Sequence, residues 1–239
     1  IFLMETILKH ITCGHTNHTY SKYLEFNFSK EDKILEVVRR KASELTNILN
    51  PKDPSGKIRS LEDHTASVVR GALAEICSKH ILEKEIKSRN LKGFVKESEG
   101  LVNTSDGTTE IDLQLVIDGK HFDIEVRSSC VRNGTEFGIR SGYFNIIGWY
   151  ITSSKSFEPP KDFYLMYLFP FNANETISKI KDKFVMHFVG GATKAMLEGP
   201  LGRYKTLKQD GAKYCGISPI CAGLDSLQVI EKMTQKRCD

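Results

Sequence analysis

The stretch EIDLQLVIDGKHFDIEVRSS, residues 110–129, limits what this chain can fold into more than any other part of it. Two runs of alternating apolar and polar residues flank Asp118-Gly119, the strongest short-range signal for a two-residue β-hairpin turn. With the turn placed there, Ile117 pairs with Lys120, Gln114 with Asp123, Asp112 with Glu125 and Glu110 with Arg127. Because side chains alternate across a strand, this pairing also assigns the faces. Ile111, Leu113, Leu115, Ile117, Phe122, Ile124 and Val126 share one face, which must be core. Glu110, Asp112, Gln114, Asp123, Glu125 and Arg127 share the other.

Directly opposed side chains in such a pair have Cβ atoms ~4.5–5.5 Å apart. Two carboxylates so placed repel unless a cation or a proton sits between them. Oxygen ligands at that reach suit Mg²⁺, which takes carboxylates together with water and phosphate oxygens. The plainer reading is a solvated strand face of mixed charge. Two features weigh against it. Asp and Glu, poor strand formers, cluster at the centre of the face instead of its ends. Arg127 also stands two positions past Glu125 on the same face.

An acid on one strand, a short hairpin, then acid-x-base on the next strand resembles the signature of the PD-(D/E)XK nucleases, whose best-known members are type II restriction endonucleases. The matching residues are Asp112 and Glu125-Val126-Arg127, with the 13-residue separation typical of that family. The preceding segment VVRGALAEICSKHI is similar to the helix ahead of the site in those enzymes, and its Glu75 matches the additional acid often found there. An alternative alignment takes Asp123-Ile124-Glu125 as acid-x-acid. The resemblance spans residues 60–170 and departs from the pattern at Arg127, where the family usually has Lys. Arg stays charged at any working pH, so it cannot be a general base, but it can stabilise charge on a phosphate.

The resemblance implies Mg²⁺ held by Asp112 and Glu125, Arg127 beside the phosphate, and hydrolysis of double-stranded DNA by a homodimer. Each subunit of a dimer would cut one strand of a symmetric site. It leaves open a repair or recombination nuclease of the same fold, and a DNA-binding domain that no longer cuts. Arg132 and Arg140 follow the hairpin in a stretch with Asn133, Gly134 and Gly138, and similar loops in restriction enzymes approach the DNA.

The rest of the chain reads as alternating helices and strands, an α/β fold with a central mixed sheet flanked by helices. Ser29 to Asn50 has helical spacing with Ser29 as cap, and a longer helix runs from about Ser60 to Ser88. Gly93 and Gly100 interrupt short extended pieces. Residues 163–169 form a buried strand, Asn174 to Lys183 a helix, Phe184 to Val189 a strand, Gly190-Gly191 a turn, and Asp225 to Lys236 the last helix. Residues 1–28 show no clear period. The expected division is a helical or irregular segment over 1–59 and a nuclease core with a C-terminal extension over 60–239.

A net charge of +4, from 34 basic and 30 acidic residues, permits a nucleic-acid partner without requiring one. The basic runs Lys179, Lys181, Lys183 and Lys194, Arg203, Lys205, Lys208 read first as solvated faces. No stretch has the ~18 apolar residues of a membrane span, and Ile1 to His10 lacks the apolar region and cleavage site of a secretory signal. The six cysteines are irregularly spaced, so the expectation is a cytoplasmic protein with reduced thiols. Cys13, His15, Cys215 and Cys221 form a minor zinc alternative, without the two-residue gap usual in such sites. No P-loop or dinucleotide fingerprint is present.

Overall fold

The computed structural model describes residues 5–13, 20–47, 51–52, 56–97, 112–151, 159–207 and 211–235. Among them, ten strands form two sheets. In chain order they are β1 (Glu5–His10), β2 (Lys22–Phe28), β3 (Gly93–Glu97), β4 (Leu113–Ile117), β5 (Lys120–Cys130), β6 (Ile146–Tyr150), β7 (Phe163–Phe169), β8 (Phe184–Thr193), β9 (Arg203–Thr206) and β10 (Lys213–Ile217). The larger sheet has seven strands in the order β1-β2-β8-β7-β5-β4-β3, and the smaller has three in the order β6-β10-β9. Only β5 and β7 run parallel. Every other neighbouring pair is antiparallel. The chain is thus α/β with a mixed central sheet, as its sequence implied.

The helices are α1 (Lys33–Thr46), α2 (Leu61–Ser88), α3 (Thr135–Arg140), α4 (Thr176–Lys179), α5 (Lys194–Glu198) and α6 (Ser226–Thr234). β7 shows how they cover the large sheet. Its seven residues are all buried, the pattern of a central strand with both faces covered. Phe163, Leu165, Tyr167 and Phe169 join one core with residues of α1, α2 and α6, including Leu35, Leu73 and Val229. Tyr164, Met166 and Leu168 join a second core with Ile146, Ile217 and Leu197, from β6, β10 and α5. The hairpin has the expected faces: Leu113, Leu115, Ile117, Ile124 and Val126 pack on the helix side.

α2 begins where its cap residue places it: the Ser60 hydroxyl accepts the N–H of Asp63 at 3.1 Å, one of the unpaired donors at every helix start. Asp225 caps α6 in the same way, accepting from Leu227 and Gln228. α1 starts four residues later than Ser29, because the Ser29 N–H donates to the Asp32 carboxylate at 2.6 Å. Asp32 then takes the cap position. Leu49, Asn50 and Gly100 lie outside the described residues.

Other expectations need correction. Residues 22–28, where no period was evident, supply β2, whose Leu24-Glu25-Phe26-Asn27-Phe28 alternates across the sheet next to β8. β1 and β2 therefore bring part of the 1–59 segment into the same sheet as the rest of the chain. Asn174 to Lys183 shortens to a 3₁₀ turn at Ala173–Glu175 followed by α4. Gly190-Gly191 is no turn but the middle of β8, where the register with β7 shifts between Met166 and Tyr167. Gly190 has φ 108°, and a Cβ there would collide with the Leu224 carbonyl. Glycine thus allows the strand to bulge and the 224–225 segment to lie directly against it.

β8 also anchors α3 to the sheet. His187 Nε2 donates to Glu25 on β2 at 3.1 Å, and its Nδ1 accepts the Thr135 hydroxyl at 2.7 Å. A carboxylate only accepts, which assigns the proton to Nε2. Lys9 lies 3.3 Å from the same Glu25. This hydroxyl–imidazole–carboxylate relay has the order of a nucleophilic triad, but Thr135 is 6% exposed. It holds α3 against the sheet and presents no nucleophile.

Candidate functional site

The hairpin turn has the backbone its residues require. Asp118 has φ 50° and Gly119 φ 77°, both positive, as the mirror-image turn of a tight hairpin demands. The ladder pairs Ile117 with Lys120, Leu115 with Phe122, Gln114 with Asp123 and Leu113 with Ile124. The next step of that register is Asp112 against Glu125. Asp112 sits in a bend just before β4, and its Oδ2 accepts the backbone N–H of Val126 at 2.6 Å. The carboxylate is thereby fastened to the strand that carries Glu125. Glu110 lies outside the described residues, so its pairing with Arg127 does.

The polar face of the hairpin is not a solvated one. Glu125 is 7% exposed. Its Oε1 lies 3.1 Å from Arg127 Nη1. Arg127 Nη2 donates to the Gly148 carbonyl at 3.3 Å, and the guanidinium stands 4.9 Å from the centre of the Tyr150 ring. A planar cation with several donors can carboxylate-pair, bond a carbonyl and stack at once, which Lys cannot.

α2 packs against β5 and brings in Glu75. Burial pushes the Glu75 carboxyl above its ordinary value; Lys41 opposes the shift, and the charges of Glu125 and Glu97 add to it. Lys41, on α1, is the counter-ion, 2.8 Å from Glu75 and 3.7 Å from Glu97. Burial would lower its ammonium, but Glu75, Glu97 and Asp112 outweigh that and raise it. Lys79 pairs with Glu97 at 2.7 Å. Asp112, Glu125, Glu75 and Glu97 therefore share one electrostatic neighbourhood, with Lys41, Lys79 and Arg127 as its cations.

Glu97 and Lys41 were not anticipated as part of this neighbourhood. Glu97 ends β3, opposite Leu113 and so beside Asp112 along the sheet, but β3 gives only five residues of weak alternation. Lys41 is one of several charged residues on α1, and nothing local marks it. Asp123 behaves differently. Its carboxylate accepts from Gln114 at 3.0 Å, and its N–H donates to Asp162, so it serves the ladder nearer the turn.

Arg132 and Arg140 lie beyond the far end of β5, Arg132 roughly 15 Å of extended chain past Arg127. Both are exposed, and residues 135–140 form the short helix α3 in place of the expected loop. Arg140 stands 3.6 Å from Glu136. The structure does not gather these two arginines with the carboxylates.

Among the described residues, no three His, Cys, Asp or Glu side chains form a ready-made metal cage. Mg²⁺ does not require one, since it is usually held by one or two carboxylates with water and phosphate oxygens completing the shell. Asp112 and Glu125 fit that mode; the raised carboxyl of Glu75 owes more to its burial than to its acidic neighbours. For the zinc alternative, His15 lies outside the described residues. Cys13 interacts with Cys221, and burial pushes its thiol up to about 12. The described cysteines form no disulfide.

A protein of Methanocaldococcus jannaschii, the uncharacterized protein MJECS01, is similar to this chain, 28% identical over an alignment of 230 positions, with 84% of the chain and 82% of the relative covered. No family model and no solved structure matches. Among the described residues no helix is long and apolar enough to cross a membrane.

Proposed function

We propose that the chain is a Mg²⁺-dependent nuclease acting on double-stranded DNA, and specifically a homodimeric type II restriction endonuclease. The observation that carries the reading is the fastening of Asp112 to Val126, one residue from Glu125, at the mouth of a hairpin whose register opposes the two carboxylates. The resemblance to the PD-(D/E)XK pattern supplies the reaction class.

In this reading Asp112 and Glu125 hold the ion. Mg²⁺ there supplies Lewis acidity toward the phosphate and a lowered pKa for the attacking water. Glu125 is held in place by Arg127, and Arg127 by Gly148 and Tyr150. A phosphodiester entering the site meets the Arg127 guanidinium, which offsets charge on the non-bridging oxygens as the water oxygen bonds to phosphorus and the sugar oxygen leaves. Arg127 does not accept the proton of that water, because it stays charged. Lys41 limits the mutual repulsion of Glu75, Glu97 and Asp112.

A second reading has one observation behind it. Arg127 forms its own pair with Glu125, an arrangement that is self-sufficient without metal, so the domain could bind DNA and not cut it. Incubation with mixed-sequence plasmid DNA and Mg²⁺ separates the readings. Discrete fragments support a restriction enzyme. A smear supports a less specific nuclease such as a repair or recombination enzyme. Intact DNA retarded on a gel supports the binding module, and DNA neither cut nor shifted contradicts all three.

A further inference from the structure

The small sheet carries a cavity of about 540 Å³ that the hairpin chemistry does not use. Its size falls within the ~300–1,000 Å³ typical of sites for small ligands and cofactors. The walls hold three aromatic residues, Trp149 and Tyr150 of β6 and Tyr204 of β9. Tyr204 is 77% exposed, so its ring meets water with no intramolecular packing to account for it. Lys205 and Lys213 also line the cavity, and among its described lining residues none is acidic. Lys213 is exposed, directly across from Thr206 of the same cavity.

These walls select for two chemical properties together. The exposed ring of Tyr204 favours a flat π-system, and the lysine ammonium groups favour an anion. A nucleotide has both, a base that stacks and a phosphate that pairs. One residue is shared between the cavity and the candidate active site. Tyr150 lines it, and the same ring lies under the Arg127 guanidinium at 4.9 Å. A strand with a phosphate at Arg127 therefore has neighbouring nucleotides within reach of the aromatic walls.

We infer that this cavity takes an unpaired nucleotide of a DNA strand, its base stacked against Tyr204 and its phosphate paired with Lys213. The source of the nucleotide rests on the nuclease reading; the chemistry of the walls does not. A paired base cannot enter, so duplex DNA contributes a nucleotide only where a base leaves the stack, at a cost of a few kcal/mol.

The chain has a single tryptophan, and it is Trp149, so occupancy reports itself as a change in intrinsic fluorescence. The test titrates the full chain, in EDTA, with a short single-stranded oligothymidylate, with the same sequence in a fully paired duplex, and with thymidine monophosphate. The single strand should quench Trp149 to saturation and bind more tightly than the duplex or the mononucleotide. Tyr204→Ala should weaken it roughly tenfold or more, and Tyr204→Phe, which keeps the ring, should restore it. Lys213→Ala should reduce the slope of log K against log salt by about 0.7, one phosphate contact to a single strand.

Absence of quenching, or a Tyr204→Ala variant that binds like the parent, overturns the inference. Mononucleotide binding as tight as the oligomer overturns it in favour of a free-nucleotide site. The titration needs no divalent ion and no cleavage. Quenching with an uncut plasmid would keep the cavity and remove the nuclease, and cleavage without quenching would do the reverse.

Discussion

Asp112 Oδ2 accepts the N–H of Val126 at 2.6 Å, so the carboxylate at the head of β4 is tied to the backbone of the strand that presents Glu125. Its place in the site depends on the hairpin more than on the loop before it. The bond also separates two roles of Asp112 that a single substitution would confuse.

Asn at 112 keeps an oxygen that can accept from Val126 but loses the charge. Asp112→Asn should therefore stay close to the parent in thermal stability and lose DNA cleavage. Asp112→Ala should lose cleavage and also the bond, at a further cost of about 0.5–1.5 kcal/mol. Thermal melts beside a cleavage assay check this. An Asp112→Asn variant that cuts at the parent rate would remove Asp112 from the ion site.

Arg127 gives a graded outcome. Lys at 127 retains charge beside Glu125 but cannot reproduce the stack on Tyr150 together with the bond to Gly148. Arg127→Lys should remain active with a modest loss. Arg127→Ala should fall by roughly 10²–10³ in rate, the range for removing one transition-state donor. It should also lose stability, because Glu125, 7% exposed, is left without its partner. Single-turnover rates normalised to the folded fraction distinguish the two effects. Cleavage by Arg127→Ala at the parent rate would leave Arg127 a purely structural partner of Glu125.

The hairpin was legible because its signals are local and agree with one another: a turn pair that tolerates positive φ, and alternation on both sides of it. The same holds for α2, capped by Ser60, and for β7, an unbroken apolar run. What was not legible depends on distant parts of the chain. Lys41 joins the site only because α1 packs on α2, which bears the Glu75 that the motif marks, and Glu97 only because β3 pairs with β4. Gly190-Gly191 looks like a turn until the close approach of residues 224–225 supplies another reason for glycine. β2 was readable from Leu24 to Phe28. Its alternation is masked by the polar and aromatic residues on either side.

The glycines give a test of the packing that is independent of function. Gly71 lies inside α2, where an added Cβ would meet nothing within 4 Å. Gly71→Ala should stabilise the fold by about 0.5–1 kcal/mol, by removing chain freedom in the unfolded state. Gly190→Ala must adopt φ 108° and push against Leu224, and should destabilise by at least about 2 kcal/mol. Chemical denaturation of both variants checks the pair. Equal effects would contradict the bulge in β8.

Stability should fall on acidification through His187 and Glu25. Burial depresses the His187 imidazole despite the opposing bond to Glu25, so the unfolded chain binds a proton that the folded one resists. That contribution is complete above about pH 6.5, the ordinary imidazole value, and is lost as pH falls from there toward the lower folded value. Burial raises Glu25, but its bonds to His187 and Lys9 outweigh this and hold it below its ordinary value of 4.5. Its contribution is complete above that value and is lost as pH falls below it. The melting temperature should drop between about pH 7 and pH 5, and His187→Gln should flatten that part of the curve. An unchanged slope in the variant would place the acid sensitivity elsewhere.

The most direct test of the account is cleavage of supercoiled plasmid by the parent protein and by Glu125→Gln, at equal folded concentration and with Mg²⁺ present. Gln keeps the size of Glu and a hydrogen-bond acceptor for Arg127, and removes the charge that holds the ion. The account predicts that the parent cuts, that EDTA stops it, and that Glu125→Gln leaves the plasmid intact. Cutting by Glu125→Gln at the parent rate, or by the parent in EDTA, would contradict it.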